Sequence, residues 1–419
     1  MKYNFIITKL KTTNVGNQAL TQELIDMFIE QNPYENFIFE GRPMGLDGYT
    51  IDRLENNQEP IHLFEKWARN IANSTVRDLS AFTLNQEKPT VSLVNFSAED
   101  AALESLKAKY LRPVKRYLSR YIVYNSVYKN RLAKIKGAKT LIYSGAGEVG
   151  DNNVFLRQLL EIRVAQLLGL KTAIVNQSVV LKTKLFHQLT GHVYGKLDQL
   201  VVRGQISKNN LISYGVDGSK IKLAPDTAFK TKEPKADRAK VLANTFNINE
   251  KTVGINITNW FKTDFVKLEK AINLIKAKGF RLIFITNEPF EDRNLGKIFE
   301  EKFDIPFITE KLHYQDYAAL LSNLDMLISA RLHTNVLALT AKTKVIPIEG
   351  NVFKTTELLQ LAQYPITVID STIEGWEDKL FLELSKVFDE EYDFKSYFEN
   401  VFPKIQGNVL TNSNWLNVQ

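Results

Sequence analysis

The chain has 419 residues, which is enough for two or three domains of ordinary size. Its 44% hydrophobic and 24% charged residues are typical of a globular protein, and the absence of cysteine excludes disulfides, thiolate metal sites and a cysteine nucleophile. No stretch approaches the roughly 20 apolar residues of a membrane-spanning helix, and the apolar run at residues 5–7 is too short for a signal peptide. We therefore expect a cytoplasmic protein.

The net charge of +7 is concentrated in one segment. Residues 107–139 contain eleven lysine and arginine residues and no acid, so that the rest of the chain carries a net charge of −4. The same segment holds five tyrosines: Tyr110, Tyr117, Tyr121, Tyr124 and Tyr128. This pattern is typical of a helix at a membrane surface, and it equally fits a solvated helix whose lysine stems cover the core. Binding of single-stranded nucleic acid is the least favoured interpretation.

Apolar runs alternate with helical patterns through the first 230 residues. A predicted strand at 5–8 is followed by a loop with Asn14, Gly16 and Asn17 and by a helix over 18–30, for which Asn17 is the predicted N-cap. This order is that of a phosphate- or sugar-binding loop, and equally that of a tight turn between a strand and a helix. Further strands are predicted at 36–40, 91–94, 140–143, 171–176 and 199–202.

Two of these strands end in candidate ligand groups. One runs into Gly145 and Gly147, where the missing Cβ atoms let the backbone approach a ligand closely. Another ends at Arg203. His187 and His192 have no acidic or histidine partner at metal-ligand spacing, so we interpret them as structural or surface residues.

The pattern starts again after a polar, lysine-rich stretch at 231–250, which is predicted to be a linker. Strands are predicted at 252–257, 281–286, 324–328, 344–348 and 366–369, and helices at 264–278, 313–323 and 356–362. Trp260, in the loop after the first of these strands, is predicted either to stack on a sugar ring or to pack in the core. The alternation on both sides of the linker predicts two doubly wound α/β domains, at 1–230 and 251–395, followed by an aromatic tail at 396–419.

The most distinctive stretch is residues 329–335. Arg331 and His333 lie there in a turn between a buried strand and the start of a helix near Thr334 and Asn335. Open α/β sheets bind ligands at the carboxyl ends of their strands, and the free N–H groups of a helix start bind anions. A cation, a titratable base and a helix start together predict a substrate that carries phosphate or carboxylate.

These motifs resemble those of the polysaccharide pyruvyltransferase family. The resemblance is carried by Ser329–His333 with Lys354, by Arg203 with Pro225-Asp226, and by the loop Asn14–Asn17. The chain departs from the family pattern where an acid or a glycine is common in other members: at Asn17-Gln18, Ala146, Glu148 and Gly204.

The resemblance implies two Rossmann-like domains that face each other across a central cleft, as in two-domain glycosyltransferases of the B type. It implies phosphoenolpyruvate as donor, sugar hydroxyls as acceptor and a cyclic pyruvate ketal as product, with no further cofactor and no metal. The product would belong to a bacterial-type cell-surface polysaccharide or its lipid-linked precursor. The protein would then work in the cytoplasm, peripheral to the inner face of the membrane through segment 107–139.

In this interpretation Arg203 and Arg331 come from different domains and bind the phosphate and carboxylate of the donor. Thr334 and Asn335 add the helix start, and His333 is the general acid or base. Lys354 contacts phosphate or is a surface lysine. The acceptor side is predicted to be lined by Asn14, Gly16, Asn17, Gly145 and Gly147. The alternatives are a nucleotide-sugar-dependent glycosyltransferase of the same architecture and a non-catalytic sugar-binding relative.

Overall fold

The computed structural model describes residues 2–10, 12–41, 50–74, 123–145, 149–248, 251–258, 262–350 and 352–417. Within them, the first half of the chain builds a parallel sheet of six strands: β1 (Tyr3–Thr8), β2 (Phe37–Gly41), β3 (Ala138–Ser144), β4 (Lys171–Gln177), β5 (Gln199–Val202) and β6 (Ile221–Leu223). The strand order is β2-β1-β3-β4-β5-β6. The described helices of this half are α1 (Val15–Gln31), α2 (Ile51–Glu55), α3 (Pro60–Asn73), α4 (Val123–Gly137), α5 (Asn153–Leu167), α6 (Lys184–Tyr194) and α7 (Gln205–Ser213).

The second half builds a parallel sheet of five strands: β7 (Thr252–Asn256), β8 (Arg281–Phe284), β9 (Met326–Ser329), β10 (Lys344–Glu349) and β11 (Ile369–Asp370). Their order is β11-β10-β9-β7-β8. The described α-helices are α8 (Ala236–Thr245), α9 (Phe265–Ala277), α10 (Arg293–Phe303), α11 (Tyr314–Leu321), α12 (Leu332–Thr340), α13 (Lys354–Leu361), α14 (Trp376–Phe388), α15 (Phe394–Ser396) and α16 (Phe402–Asn408).

Both faces of the first sheet are buried. On β1, Phe5 and Ile7 pack into one apolar cluster, whereas Ile6 packs into a second cluster that continues into the second half of the chain. Side chains alternate between the faces of a strand, so a sheet that is covered on both sides needs the continuous apolar run that the sequence shows here. Two such parallel sheets with intervening helices confirm the predicted fold class of two doubly wound, Rossmann-like units.

Several predicted elements differ in detail. The first helix begins at Val15 rather than at residue 18, because Asn14 is the N-cap: its side chain accepts a hydrogen bond from the backbone N–H of Asn17. The prediction that Asn17 is the cap is therefore wrong. The last strand is only the two residues of β11, and the strand predicted at 91–94 lies outside the described residues.

The segment predicted as a linker, 231–250, contains helix α8, which packs against α11. The tail predicted at 396–419 returns to the first half, where Asn412 accepts a hydrogen bond from the backbone N–H of Asn176 and donates one to the carbonyl of Pro225, both at 3.1 Å. The C-terminal residues therefore tie the two halves together. The domain boundaries themselves stay a prediction.

Only the end of the basic segment 107–139 falls within the described residues. There Arg131 is buried and donates to the carboxylates of Glu161 and Glu40, while Lys134 pairs with Glu40 at 2.9 Å. These contacts favour the interpretation as a helix over the core for this end of the segment. Across the part of the chain that the structure covers, helices that are both long and apolar enough to cross a membrane are absent. Contact of the segment with a membrane surface stays a prediction.

Candidate functional site

The site forms where strands of the two sheets end. Arg203 directly follows β5, and Asp226 follows β6, the neighbouring strand. Arg331 and His333 follow β9, the middle strand of the second sheet. Because the carboxyl ends of parallel strands lie at one edge of a sheet, residues that are distant in the sequence meet there. In this molecule the two sheets bring their edges to the same place.

Arg203 is the centre of the first half's contribution. Its side chain is buried, its Nη1 atom donates to Oδ2 of Asp226 at 2.5 Å, and its Nε atom donates to the hydroxyl of Ser178 at 3.1 Å. Asp226 is fully buried and also accepts from the backbone N–H of Ala228. The guanidinium and the carboxylate therefore hold each other in a water-excluded position.

His333 joins this pair from the second half. Its Nε2 atom lies 3.6 Å from Oδ2 of Asp226 and makes no hydrogen bond to a described residue. The ring side chain is only 13% exposed. One carboxylate thus faces a cation of the first half and an imidazole of the second half. Burial alone would raise the pKa of Asp226, but His333 and Arg203 outweigh it and hold that pKa well below its usual range.

Gly16 explains how His333 fits against the first half. A Cβ atom at Gly16 would lie 2.0 Å from Cβ of His333 and 2.6 Å from its Nδ1 atom. Any side chain at this position would occupy the space of the histidine. The predicted substrate-binding glycine therefore has a packing role that the sequence did not indicate: it lets the imidazole pass over the start of α1.

The loop that caps α1 also contacts the second half. Asn14 donates from Nδ2 to the carboxylate of Glu288, while the backbone N–H of Val15 donates to the carbonyl of Asn287 at 3.5 Å. Burial raises the pKa of Glu288, and the nearby Glu291 adds to that rise. Asn14 and Asn17 thus lie at the junction of the halves, with the amide groups of both already bonded within the protein.

Arg331 binds carboxylates different from those that hold Arg203. Its Nη2 atom donates to Asp292, which is buried, at 2.6 Å. Both of its Nη atoms also donate to the carboxylate of Glu291, at 3.2 and 3.3 Å, and that glutamate is exposed. Arg203 and Arg331, which were predicted to act as a pair, therefore bind different carboxylates. His333, and not Arg331, lies next to Asp226, the partner of Arg203.

Lys354, the first residue of α13, lies in the same cluster. Burial, together with the charges of Arg203 and Lys9, lowers the pKa of its ammonium group to about 8, against the opposing effect of Glu349 and Glu357. Its ammonium group has no hydrogen bond or ion pair with any other described residue. A half-buried cation that repels two neighbouring cations is ready to bind an anion.

Other predicted site residues are enclosed by the protein. Thr334 and Asn335 are fully buried, with side chains directed to Tyr317 and to the carbonyl of Ser329. Gly145 packs on Gln177, whose Cβ atom would lie 2.3 Å from a Cβ added at the glycine. Gly147 and Trp260 lie outside the described residues.

Asp226 is a site residue to which sequence reasoning gave no role. Its Pro-Asp turn contributes to the family resemblance, but nothing in the local pattern shows that the carboxylate faces Arg203 and His333. The sequence does show an acidic residue shortly after the strand that neighbours β5. This position points to Arg203 only when the order of the strands in the sheet is known. Over the described ranges, no group of three or more histidine, aspartate or glutamate residues has the spacing of a metal site.

Comparisons with known proteins show a family and a fold. The model of the family described as polysaccharide pyruvyl transferase matches residues 14–351, a range that includes Arg203, Asp226 and His333 but ends before Lys354. A comparison with curated protein sequences gives no significant match.

Solved structures show a similar fold over the whole chain. Anabaena Alr3699/HepE in complex with UDP has 8% identity and a TM-score of 0.53, with 100% of this chain and 98% of that chain covered. MnaA from S. aureus with UDP has 11% identity, the same TM-score and the same coverage. A glycosyltransferase from Rickettsia africae has 10% identity and a TM-score of 0.52, with 98% and 94% covered. At these identities the likeness shows the fold.

Proposed function

This chain belongs to the polysaccharide pyruvyl transferase family, and we propose that it transfers the pyruvyl group of phosphoenolpyruvate to two hydroxyls of a saccharide, forming a ketal and releasing phosphate. The observation that carries the proposal is the arrangement of Arg203, Asp226 and His333 across the two halves, with Lys354 beside it. This arrangement supports the proposal because an acid or base and two cations lie close together there.

The donor's charges suit these cations. Phosphoenolpyruvate carries a phosphate and a carboxylate, and guanidinium groups bind both through paired hydrogen bonds. Arg203 and Lys9 disfavour the charged form of Lys354, so the negative phosphate of the donor stabilises that form when it binds. Arg331 binds the donor's second anionic group, its carboxylate, after this group has displaced the exposed carboxylate of Glu291 from the guanidinium.

The reaction adds a proton to the terminal carbon of phosphoenolpyruvate and replaces the phosphate on the neighbouring carbon with two sugar oxygens. A proton adds to the terminal carbon of the enol, which becomes a methyl group, and the neighbouring carbon then carries oxocarbenium character. The oxygen of one sugar hydroxyl bonds to that carbon and its proton leaves. The carbon–oxygen bond to phosphate breaks, and a second hydroxyl closes the ketal as its proton passes to the phosphate. The sum is one phosphoenolpyruvate and one diol giving one ketal and one hydrogen phosphate.

His333 is the group that moves these protons in our proposal. Its Nε2 atom makes no hydrogen bond to a described residue, while Asp226 lies 3.6 Å away and can hold the ring as it gains a proton. A histidine suits the role because it exchanges protons near neutral pH. His333 and Arg203 in turn hold the pKa of Asp226 well below its usual range.

The acceptor is a saccharide of a cell-surface polysaccharide or its lipid-linked precursor, and the cytoplasmic face of the membrane is the place where such a precursor is met. These parts of the proposal rest on the family. The competing donor is a nucleotide sugar, since the proteins of similar fold named above include two that were solved with UDP.

A thermal-shift panel with phosphoenolpyruvate and UDP-sugars separates the two donors. A ligand that binds the folded protein raises the melting temperature by mass action. We expect phosphoenolpyruvate to do so in the wild type and to lose the effect in Lys354→Met. The matched control is Lys267→Met, because Lys267 forms an exposed ion pair with Asp378 on the second half.

Turnover is then measured as phosphate released from phosphoenolpyruvate with an oligosaccharide acceptor. Release that requires both substrates, together with a mass gain of a pyruvyl ketal on the acceptor, is the expected result. A shift by UDP-sugars and none by phosphoenolpyruvate would contradict the proposal.

A further inference from the structure

A glutamate of the second half reaches deep into the first half, close to the candidate site. Glu357, on α13, is 1% exposed, and its carboxylate accepts from the backbone N–H of Ser207 at 3.0 Å and from the Ser207 hydroxyl at 2.9 Å. Ser207 lies in the first turn of α7. A carboxylate from the second half therefore binds the start of a helix in the first half.

Gly204 makes this approach possible. A Cβ atom there would lie 2.7 Å from Cβ of Glu357 and 3.0 Å from its backbone oxygen. The first contact is shorter than real Cβ atoms show, and the second is unusually tight and involves backbone that cannot rotate away. The close contact between α13 and the turn after Arg203 thus depends on a glycine at position 204.

The same carboxylate is linked to Arg203 through a hydroxyl. Ser178 accepts from Nε of Arg203 at 3.1 Å, and its hydroxyl lies close enough to Glu357 to lower the pKa of that carboxyl against the effect of burial. A serine hydroxyl has a single proton, and the arginine N–H is already a donor. The Ser178 proton therefore points to Glu357, and the carboxylate fixes the lone pair that receives the guanidinium.

Lys354 lies one turn before Glu357 on α13, so the two side chains share a face of the helix. Four charged groups act on its ammonium group: Arg203 and Lys9 disfavour its charge, whereas Glu349 and Glu357 favour it. Glu357 is thus connected to two of the three cations that we assign to the donor, to Lys354 along the helix and to Arg203 through Ser178.

We propose that Glu357 is a positioning residue that couples the contact between the two halves to the placement of Lys354 and Arg203. The proposal rests on the proposed function in one respect, the assignment of these two cations to the donor. Removal of the carboxylate leaves Lys354 beside cations with less compensation and lets the Ser178 hydroxyl rotate away from Arg203. Both effects weaken donor binding.

The first test follows the proton of Lys354 and does not involve the donor. Acetylation of Lys354 by acetic anhydride is measured against pH by peptide mass spectrometry in the wild type and in Glu357→Gln, which keeps the shape and one acceptor oxygen. The control is Glu377→Gln. Glu377 is equally buried and accepts a backbone hydrogen bond from Asp264 at 2.6 Å, but within the second half.

In the wild type we expect the midpoint of labelling near pH 8, the value to which burial and the neighbouring charges together lower the pKa of Lys354. In Glu357→Gln it should fall by at least about half a pH unit, because a neighbouring negative charge is lost. In Glu377→Gln it should stay unchanged. Equal midpoints in the wild type and Glu357→Gln would overturn the proposal.

The second test is the pH profile of kcat/KM for phosphoenolpyruvate. The alkaline fall in Glu357→Gln should move to lower pH by the same amount as the labelling midpoint, and an unmoved profile overturns the coupling to donor binding. If Glu357→Gln does not fold, Ser178→Ala replaces it, since this variant keeps the charge of Glu357 and removes the hydroxyl between Glu357 and Arg203. We expect KM for phosphoenolpyruvate to rise about tenfold while kcat stays the same. An unchanged KM would overturn the coupling. A wild type that never binds phosphoenolpyruvate refutes the proposed function instead, and the labelling result still decides the positioning of Lys354.

Discussion

The replacement Asp226→Asn tests the centre of the site. It removes the charge of a fully buried carboxylate that bonds Arg203 at 2.5 Å and faces His333 at 3.6 Å. Arg203 is itself buried, so the variant leaves an uncompensated guanidinium inside the protein. Breaking a buried ion pair from one side costs about 3–5 kcal/mol.

This cost converts into a measurable shift in melting temperature. At about 2–4 °C per kcal/mol for units of 150–250 residues, the transition of the first half should fall by roughly 6–20 °C. The matched control is Asp316→Asn, which removes the charge and one acceptor oxygen of a carboxylate that receives two hydrogen bonds, of 2.7 and 2.8 Å, from Arg238. That pair is solvent-screened, so its loss should change the melting temperature by less than about 2 °C.

The pH dependence of this difference has a definite sign. The pKa of Asp226 is lowered in the folded protein, so its stabilising contribution is complete above the ordinary carboxyl pKa of about 3.9 and declines as the pH falls below it. The gap in melting temperature between wild type and Asp226→Asn should therefore narrow in acid. A gap that stays constant from pH 7 to pH 3 would argue against an ionised Asp226.

Activity supplies an independent measurement. Without the carboxylate, His333 loses the group that faces its Nε2 atom, and kcat should fall by at least about tenfold even below the melting transition. A variant that melts and turns over like the wild type would refute the reasoning. A variant that is destabilised but keeps its kcat would restrict Asp226 to a structural role.

Three further outcomes are expected. His333→Gln should keep the circular dichroism spectrum and lose about 10²–10⁴-fold in kcat for phosphate release, whereas normal turnover would end its assignment as acid or base. Gly16→Ala should lower both melting temperature and activity, because its Cβ would lie 2.0 Å from Cβ of His333. Gly407→Ala, with open space around it, is the control and should gain about 0.5–1 kcal/mol. KM for phosphoenolpyruvate, measured from pH 6.5 to 9.5, should rise above about pH 8 as Lys354 loses its proton, and a flat profile would contradict its contact with the donor.

The order of strands and helices could be predicted from local patterns. The buried strands β1, β3, β4, β5, β7 and β9 each contain a short apolar stretch, and each predicted strand overlaps the observed one. The turn that holds Arg331 and His333 was recognisable for the same reason, since a buried strand and a helix border it. Family membership followed from motifs of this local kind.

The site could not be completed in this way. The pairing of Arg203 with Asp226 depends on β5 and β6 being neighbours in the sheet, and the contact of His333 with Gly16 depends on two sheets meeting at their edges. Neither relation leaves a mark on the local sequence, because a buried ion pair and a close approach to glycine are set by partners hundreds of residues apart or in another strand.

The chain's own pattern of apolar residues, glycines and caps thus decided which segments become strands, which become helices and which turn carries an arginine and a histidine. Tertiary structure decided which charges neutralise each other. Arg331 pairs with Asp292 and Glu291, and Arg203 pairs with Asp226. Lys354 remains available to bind an anion. The physical reason is that a buried charge is costly unless an opposite charge or a hydrogen-bonding group lies within a few ångströms. Only the folded chain determines which groups lie that close.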